Sequence, residues 1–212
     1  MVNLNSIEEF IEYNFIPFSK VQCIKRIFYT GIASYIICVL GFLSARWVVA
    51  VSFLFCISAL FLLLLTKSND LKLNRFLCDG IYHTAMSILL NLAAYRVVAW
   101  KNGPKPALLI VFVLLLILSY AIFTLIVYLS IKQQRYCANA TNRKVSLLAF
   151  GGCLLGTMVA RLSLNGVSQE LAVVLLSAIL LLLSFVIGIG GLNLLKAWLY
   201  MRVKKVGGDP LP

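Results

Sequence analysis

The run PALLIVFVLLLILSYAIFTLIVYLSI, residues 106–131, contains no charged side chain. An α-helix rises 1.5 Å per residue and a bilayer's hydrocarbon core is about 30 Å thick, so this run is long enough to cross it. The rest of the chain has to be compatible with a bilayer, and reading outward from 106–131 shows that it is. On the N-terminal side, residues 27–65 are apolar for the length of two spans and are interrupted by Arg46 beside Trp47. A tight helical hairpin with spans at 27–45 and 48–65 is expected. The stretch 80–100 is a third and less hydrophobic span, carrying His83, Asn91 and Arg96. After 106–131 come a fifth apolar run at about 145–162 and a sixth at about 169–195. The expected fold is therefore all-α: a polytopic membrane bundle of six transmembrane helices over residues 27–195.

Composition agrees. Of 212 residues, 62% are hydrophobic and 12% charged, with a mean hydropathy of +0.98. A soluble enzyme, a disordered chain and a disulfide scaffold are excluded by that balance. Nineteen Lys and Arg face seven Asp and Glu, for a formal charge of +12. Because the basic residues sit between apolar runs, the expected partners are anionic lipid headgroups rather than nucleic acid.

Lys and Arg in short loops are retained on the cytoplasmic side during insertion. Fourteen fall on one side of the six-span arrangement: Lys20, Lys25, Arg26; Lys67, Lys72, Arg75; Lys132, Arg135, Arg143, Lys144; and Lys196, Arg202, Lys204, Lys205. Four fall on the other, namely Arg46, Lys101, Lys105 and Arg161, with Arg96 inside the third span. Both termini are expected to be cytoplasmic. The same count does not distinguish a bacterial inner membrane from an endoplasmic-reticulum membrane.

Residues 1–26 are expected to form an amphipathic interfacial segment, and its start, 1–12, is polar and acidic, without the basic flank and short apolar run of a cleavable signal. Ser6-Ile7-Glu8-Glu9 has the form of a capping box opening a short amphipathic helix, with Ile7, Phe10 and Ile11 opposite Glu8, Glu9 and Glu12. This helix is expected to lie at the membrane interface, ended by Pro17. Residues 196–212 form a basic cytoplasmic tail. The loops at 66–79 and 132–144 are too short to hold a core, so any site lies between helices or at the membrane surface.

His83, Ser87, Asn91 and Tyr95 recur every fourth residue and form a slowly winding polar stripe on the third span. Polar groups in lipid face a partner helix or a cavity. The stripe is thus either the lining of a ligand pocket or a helix-packing seam worth about 1 kcal/mol per hydrogen bond. Arg96, near the helix end, can snorkel to the headgroups, or bind a carboxylate or phosphate if it stands at a pocket mouth. Within the six expected spans the only Asp or Glu is Glu170, at the very start of the sixth, so no carboxylate lies near the midplane, which disfavours carboxylate-coupled transport and carboxylate-bound divalent metals. The aspartate-rich motif of the phosphatidyl-alcohol transferases is not present.

Gly152, Gly156 and Ala160 make a small-residue seam on the fifth span, suited to close packing within the bundle or against another subunit. Gly188, Gly190 and Gly191 suit tight packing or a bend near the end of the sixth. Of the six cysteines, Cys38, Cys56 and Cys153 lie within spans and Cys23, Cys78 and Cys137 at the cytoplasmic boundary, and no C-x-x-C occurs. Small apolar fillers are expected; a cluster of Cys23, Cys78, Cys137 and His83 is the alternative. No cofactor or metal is expected. Asn139-Ala140-Thr141 matches a glycosylation acceptor in pattern, in a loop assigned to the cytoplasm.

In length, basicity and span number the chain resembles the membrane cysteine peptidases of quorum-sensing peptide maturation. That resemblance implies a cytoplasmic His followed shortly by a nucleophilic Cys. Here Cys78 precedes His83, no cysteine follows until Cys137, and the family's basic, proline-containing loop is missing. In size and span count the chain also resembles the substrate-binding subunits of energy-coupling-factor transporters, without a shared motif. The first expectation is a non-enzymatic ligand-binding or transport subunit acting with a protein partner or as a homo-oligomer, its site at His83, Ser87, Asn91, Tyr95 and Arg96. The second is a structural, immunity or assembly protein that works by packing transmembrane helices against a partner. A membrane cysteine peptidase stands third.

Overall fold

The computed structural model describes residues 4–13, 17–40, 45–67, 69–103, 105–133 and 168–207. Among them are seven α-helices: α1 (Leu4–Glu12), α2 (Lys20–Leu40), α3 (Ala45–Leu65), α4 (Leu71–Asn102), α5 (Pro106–Lys132), α6 (Gln169–Gly188) and α7 (Asn193–Gly207). A 3-10 turn, Ile189–Leu192, joins α6 to α7. Four segments are long and apolar enough to cross a membrane: Arg46–Leu65, Leu71–Ala99, Pro106–Lys132 and Glu170–Lys204. The run at 145–162, with its Gly152, Gly156 and Ala160 seam, lies outside the described residues, as do Cys137, Cys153 and Asn139.

Local chemistry sets the helix ends. Asp70 caps α4, its carboxylate accepting the Leu73 N–H at 2.9 Å, and Gly103 ends the helix at φ +73°, a conformation that side-chain-bearing residues rarely adopt. Pro106 occupies the first turn of α5, where its missing N–H costs no hydrogen bond. Ser168 caps α6, and Glu170 places a negative charge in its first turn.

Two helix starts differ from expectation. α1 begins at Leu4, so Ser6 lies in its first turn, buried, rather than capping it. α4 begins at Leu71, so most of the loop expected at 66–79 is helix and the span expected at 80–100 gains nine residues. Lys72, Arg75 and Asp79 lower the hydropathy of that first stretch, yet each has a tertiary partner.

The bundle is built around α4, which packs against α2, α3, α5, α6 and α7, most extensively against α6. Three apolar clusters follow it along its length. Phe76 meets Ile11, Ala197 and Tyr200 at one end; Leu89 and Ala93 meet Ile37 and Val51 in the middle; Ala94, Tyr95 and Ala99 meet Phe112 at the other end.

The outer helices have the polarity of a bilayer solvent. Inward positions of α2 are Cys23, Thr30, Ser34 and Ile37, whereas Val21, Ile24, Phe28, Tyr29, Ile32, Tyr35 and Ile36 face outward. Thr30, Ser34, Ser58 and Ser177 donate their hydroxyls to carbonyls of their own helices at 2.8–2.9 Å, so small polar residues sit inside without needing water. On α5 only Phe112, Val127 and Ile131 are fully buried. The apolar side of α1 is turned onto the bundle, with Phe10 against Val127 and Ile131 and Ile11 against Phe76 and Tyr200.

Candidate functional site

Spacing on α4 brings Ser87, Asn91 and Tyr95 to one side, and all three are buried. Ser87 lies against Ser184 of α6: each hydroxyl donates to the other residue's backbone carbonyl at 2.8 Å. One turn on, Asn91 Nδ2 donates to the Phe112 carbonyl of α5 at 3.3 Å. Tyr95 is held between aromatic rings, edge-on to Phe112 with centroids 5.9 Å apart and tilted against Trp47 at 5.6 Å. Arg96, beside Tyr95, is only partly buried.

The glycines expected to pack tightly or bend are packed tightly. Helical dihedrals continue through the 3-10 turn at Ile189–Leu192, and its glycines lie against α4. A Cβ on Gly188 would stand 3.1 Å from Ser87 Oγ; on Gly190, 2.4 Å from His83 Cγ; on Gly191, 2.8 Å from Thr84 Oγ1. Gly80 extends the seam toward α7, since a Cβ there would stand 2.6 Å from Leu194 Cγ and 2.8 Å from its backbone nitrogen. Glycine backbone of the 3-10 turn and its flank thus lies directly against the His83, Thr84 and Ser87 side chains, while Gly80 approaches the Leu194 backbone. Thr84 Oγ1 and the Tyr120 hydroxyl, both beside Gly191, are buried with no hydrogen-bond partner among the described residues.

A second polar group lies nearer the start of α4. Asp79 is ion-paired with Arg26 of α2 and with Arg75 one turn earlier, whose Nε lies 2.8 Å from Asp79 Oδ2. Arg75 Nη1 also donates to Gln22 Oε1 at 2.7 Å, and Arg26 lies over the Tyr82 ring at 5.4 Å. Below the ion pairs, Cys78 Sγ is 3.3 Å from Cys23 Sγ, and the Cys23 thiol donates to the Leu62 carbonyl of α3 at 3.2 Å. Arg26 Nη1 reaches Cys78 Sγ at 3.5 Å. His83 Nδ1 lies 2.6 Å from the Asp79 carbonyl. No group of three or more His, Cys, Asp or Glu residues that could hold a metal ion is present among the described residues.

One carboxylate is therefore shared by two guanidinium groups on different helices, which fixes α2 against α4. Its signal in the sequence was Asp79 itself, one residue before the apolar run. An acidic residue four after Arg75 and one after Cys78 marks a helix that starts earlier than hydropathy alone suggests.

A third contact ties down α1. Lys196 of α7 is buried among the Phe10, Tyr13 and Phe76 rings and donates to the Tyr13 carbonyl, while Lys72 pairs with Glu12.

Among the described residues these contacts define an all-helical arrangement with bilayer-length apolar helices around one polar-striped helix. No family model matches it, and no curated protein or solved structure matches it.

Proposed function

We propose that this chain is a non-catalytic integral membrane protein that acts by packing transmembrane helices, within itself and against a protein partner. The observation that carries the reading is the reciprocal Ser87–Ser184 pair, which spends the stripe's central polar groups on a direct helix contact. Asn91 is likewise turned to the Phe112 carbonyl. The apolar outer surface of α5, with Ile110, Leu114, Ile117, Leu118, Leu125 and Ile126 exposed, is available to lipid or a partner helix.

Six spans and cytoplasmic termini belong to the proposal. α5 ends beside α1 and α7, with Ile131 near Phe10 and Leu195, whereas Leu180 of α6 lies near Phe112 at the opposite end. The chain leaves α5 at one end of the bundle and enters α6 from the other, and the intervening sequence contains the apolar run 145–162. That arrangement supports a further crossing there. α2 supplies another, because its outward face is apolar from Phe28 to Ile36.

A ligand-binding or transport subunit is the second reading. Thr84 and Tyr120 favour it, because two buried hydroxyls facing one glycine from different helices are groups a small polar molecule would satisfy.

Asn91→Leu separates the two. The full-length protein, extracted gently from its own membrane, is analysed by native mass spectrometry and thermal melting. A packing role predicts a lower melting temperature with no small molecule lost. A bound small molecule that disappears in Asn91→Leu while the melting temperature holds would transfer the assignment to ligand binding.

A further inference from the structure

Along the outer side of the α2–α3 hairpin runs an open apolar groove of about 460 Å³, lined by residues that include Ile24, Ile27, Phe28, Gly31, Tyr35 and Phe55. We infer that it is a binding site for one acyl chain of an anionic phospholipid, with Lys20 and Lys67 holding the headgroup. The inference is independent of the packing role proposed above.

Three features fit that occupant. The first is depth. Ile24 to Tyr35 is eleven residues of helix, about 16 Å, and one leaflet of hydrocarbon is about 15 Å. The second is the floor. Gly31 has no side chain, and a Cβ there would already stand 3.2 Å from the Phe55 ring, so any larger residue would take up the groove. The third is charge. Ile24, Ile27, Phe28, Gly31 and Tyr35 follow one another at helical spacing, and Lys20, four residues before Ile24, continues the same stripe past the apolar lining.

α3 runs antiparallel to α2, as the Cys23–Leu62 hydrogen bond and the Gly31–Phe55 approach show. Lys67, just beyond the end of α3, is therefore at the same end of the hairpin as Lys20, and both are exposed. A slot one leaflet deep with cations at its rim matches an acyl chain below a negatively charged headgroup, and a net-neutral headgroup gains less from those cations.

The full-length protein, purified in mild detergent and stripped of lipid, is titrated with dioleoyl phosphatidylglycerol or dioleoyl phosphatidylcholine, and retained lipid is counted by native mass spectrometry. The first phosphatidylglycerol is expected to be held about 25-fold more strongly than phosphatidylcholine, since each of the two lysines near an anionic headgroup contributes about fivefold. Lys20→Gln with Lys67→Gln removes the preference. Gly31→Leu lowers retention of the first molecule of either lipid, with melting followed to check folding; Ile24→Trp, which blocks the mouth of the slot, serves if Gly31→Leu does not fold. Equal retention of the two lipids by the wild type overturns the inference, as does unchanged retention when the slot is filled. A dimer lost in Gly31→Leu also overturns it, giving the groove to a second copy of the chain.

Discussion

Ser87 and Ser184 each donate a hydroxyl to the other's backbone carbonyl at 2.8 Å, so α4 and α6 are joined by two hydrogen bonds made from two small residues. Replacing either serine by alanine removes one of them. Each single change is expected to cost about 1 kcal/mol, and the double variant less than the sum, because the two bonds share one close approach. Unfolding titrations of the four proteins in mixed detergent micelles measure this. Full additivity would show that the serines act independently.

Gly80 and Gly31 separate a rigid contact from a yielding one. A Cβ on Gly80 meets the Leu194 backbone nitrogen at 2.8 Å, while one on Gly31 meets the edge of a phenylalanine ring at 3.2 Å. Gly80→Ala is expected to destabilise by about 2 kcal/mol through displaced backbone, and Gly31→Ala by well under that. Melting temperatures of the two variants in one detergent decide the order.

Asp79 balances Arg26 and Arg75, whose side chains are 16% and 7% exposed. Asp79→Asn leaves both guanidinium groups without their carboxylate and is expected to cost about 3 kcal/mol, more than any single serine change. Asp79→Asn combined with Arg75→Met should recover part of that loss. Equilibrium unfolding of both variants provides the comparison, and no recovery would place the defect elsewhere.

Asp70, just outside the first turn of α4, has a carboxyl held below its ordinary pKa. Burial pushes it upward, but the hydrogen bond from the Leu73 N–H and the contact with Lys204, 3.0 Å away, outweigh burial. A carboxyl depressed in the folded state stabilises fully above its unfolded value of about 3.9, and that contribution fades as pH falls through the folded value. Asp70→Ala is expected to cost about 1 kcal/mol at pH 7, and the gap from wild type should close below about pH 4. Thermal melts of both proteins from pH 7 to pH 3 trace it.

α5 covers the apolar run at 106–131 almost residue for residue, because Pro106 marks its start and nothing polar interrupts it. α4 was longer than its apolar run because Lys72, Arg75 and Asp79 depress hydropathy locally while Glu12, Arg26 and Gln22 satisfy them from elsewhere in the chain. The stripe positions on α4 were legible from four-residue recurrence. Their partners Ser184 and Phe112 were not, since periodicity within one helix carries no information on which helix lies opposite. Cys23 and Cys78 meet for the same hidden reason, through the approach of α2 to α4.

α4 is the least apolar of the four bilayer-length segments and also the one on which the others converge. During synthesis from the N-terminus, α2 and α3, with Arg26 and Gln22, emerge before Arg75 and Asp79. The helix least able to enter lipid alone is thus produced when its polar residues already have somewhere to go. Reordering the gene so that α4 precedes α2 and α3 would deprive it of that reception, making the order of the helices along the chain part of the assembly instruction.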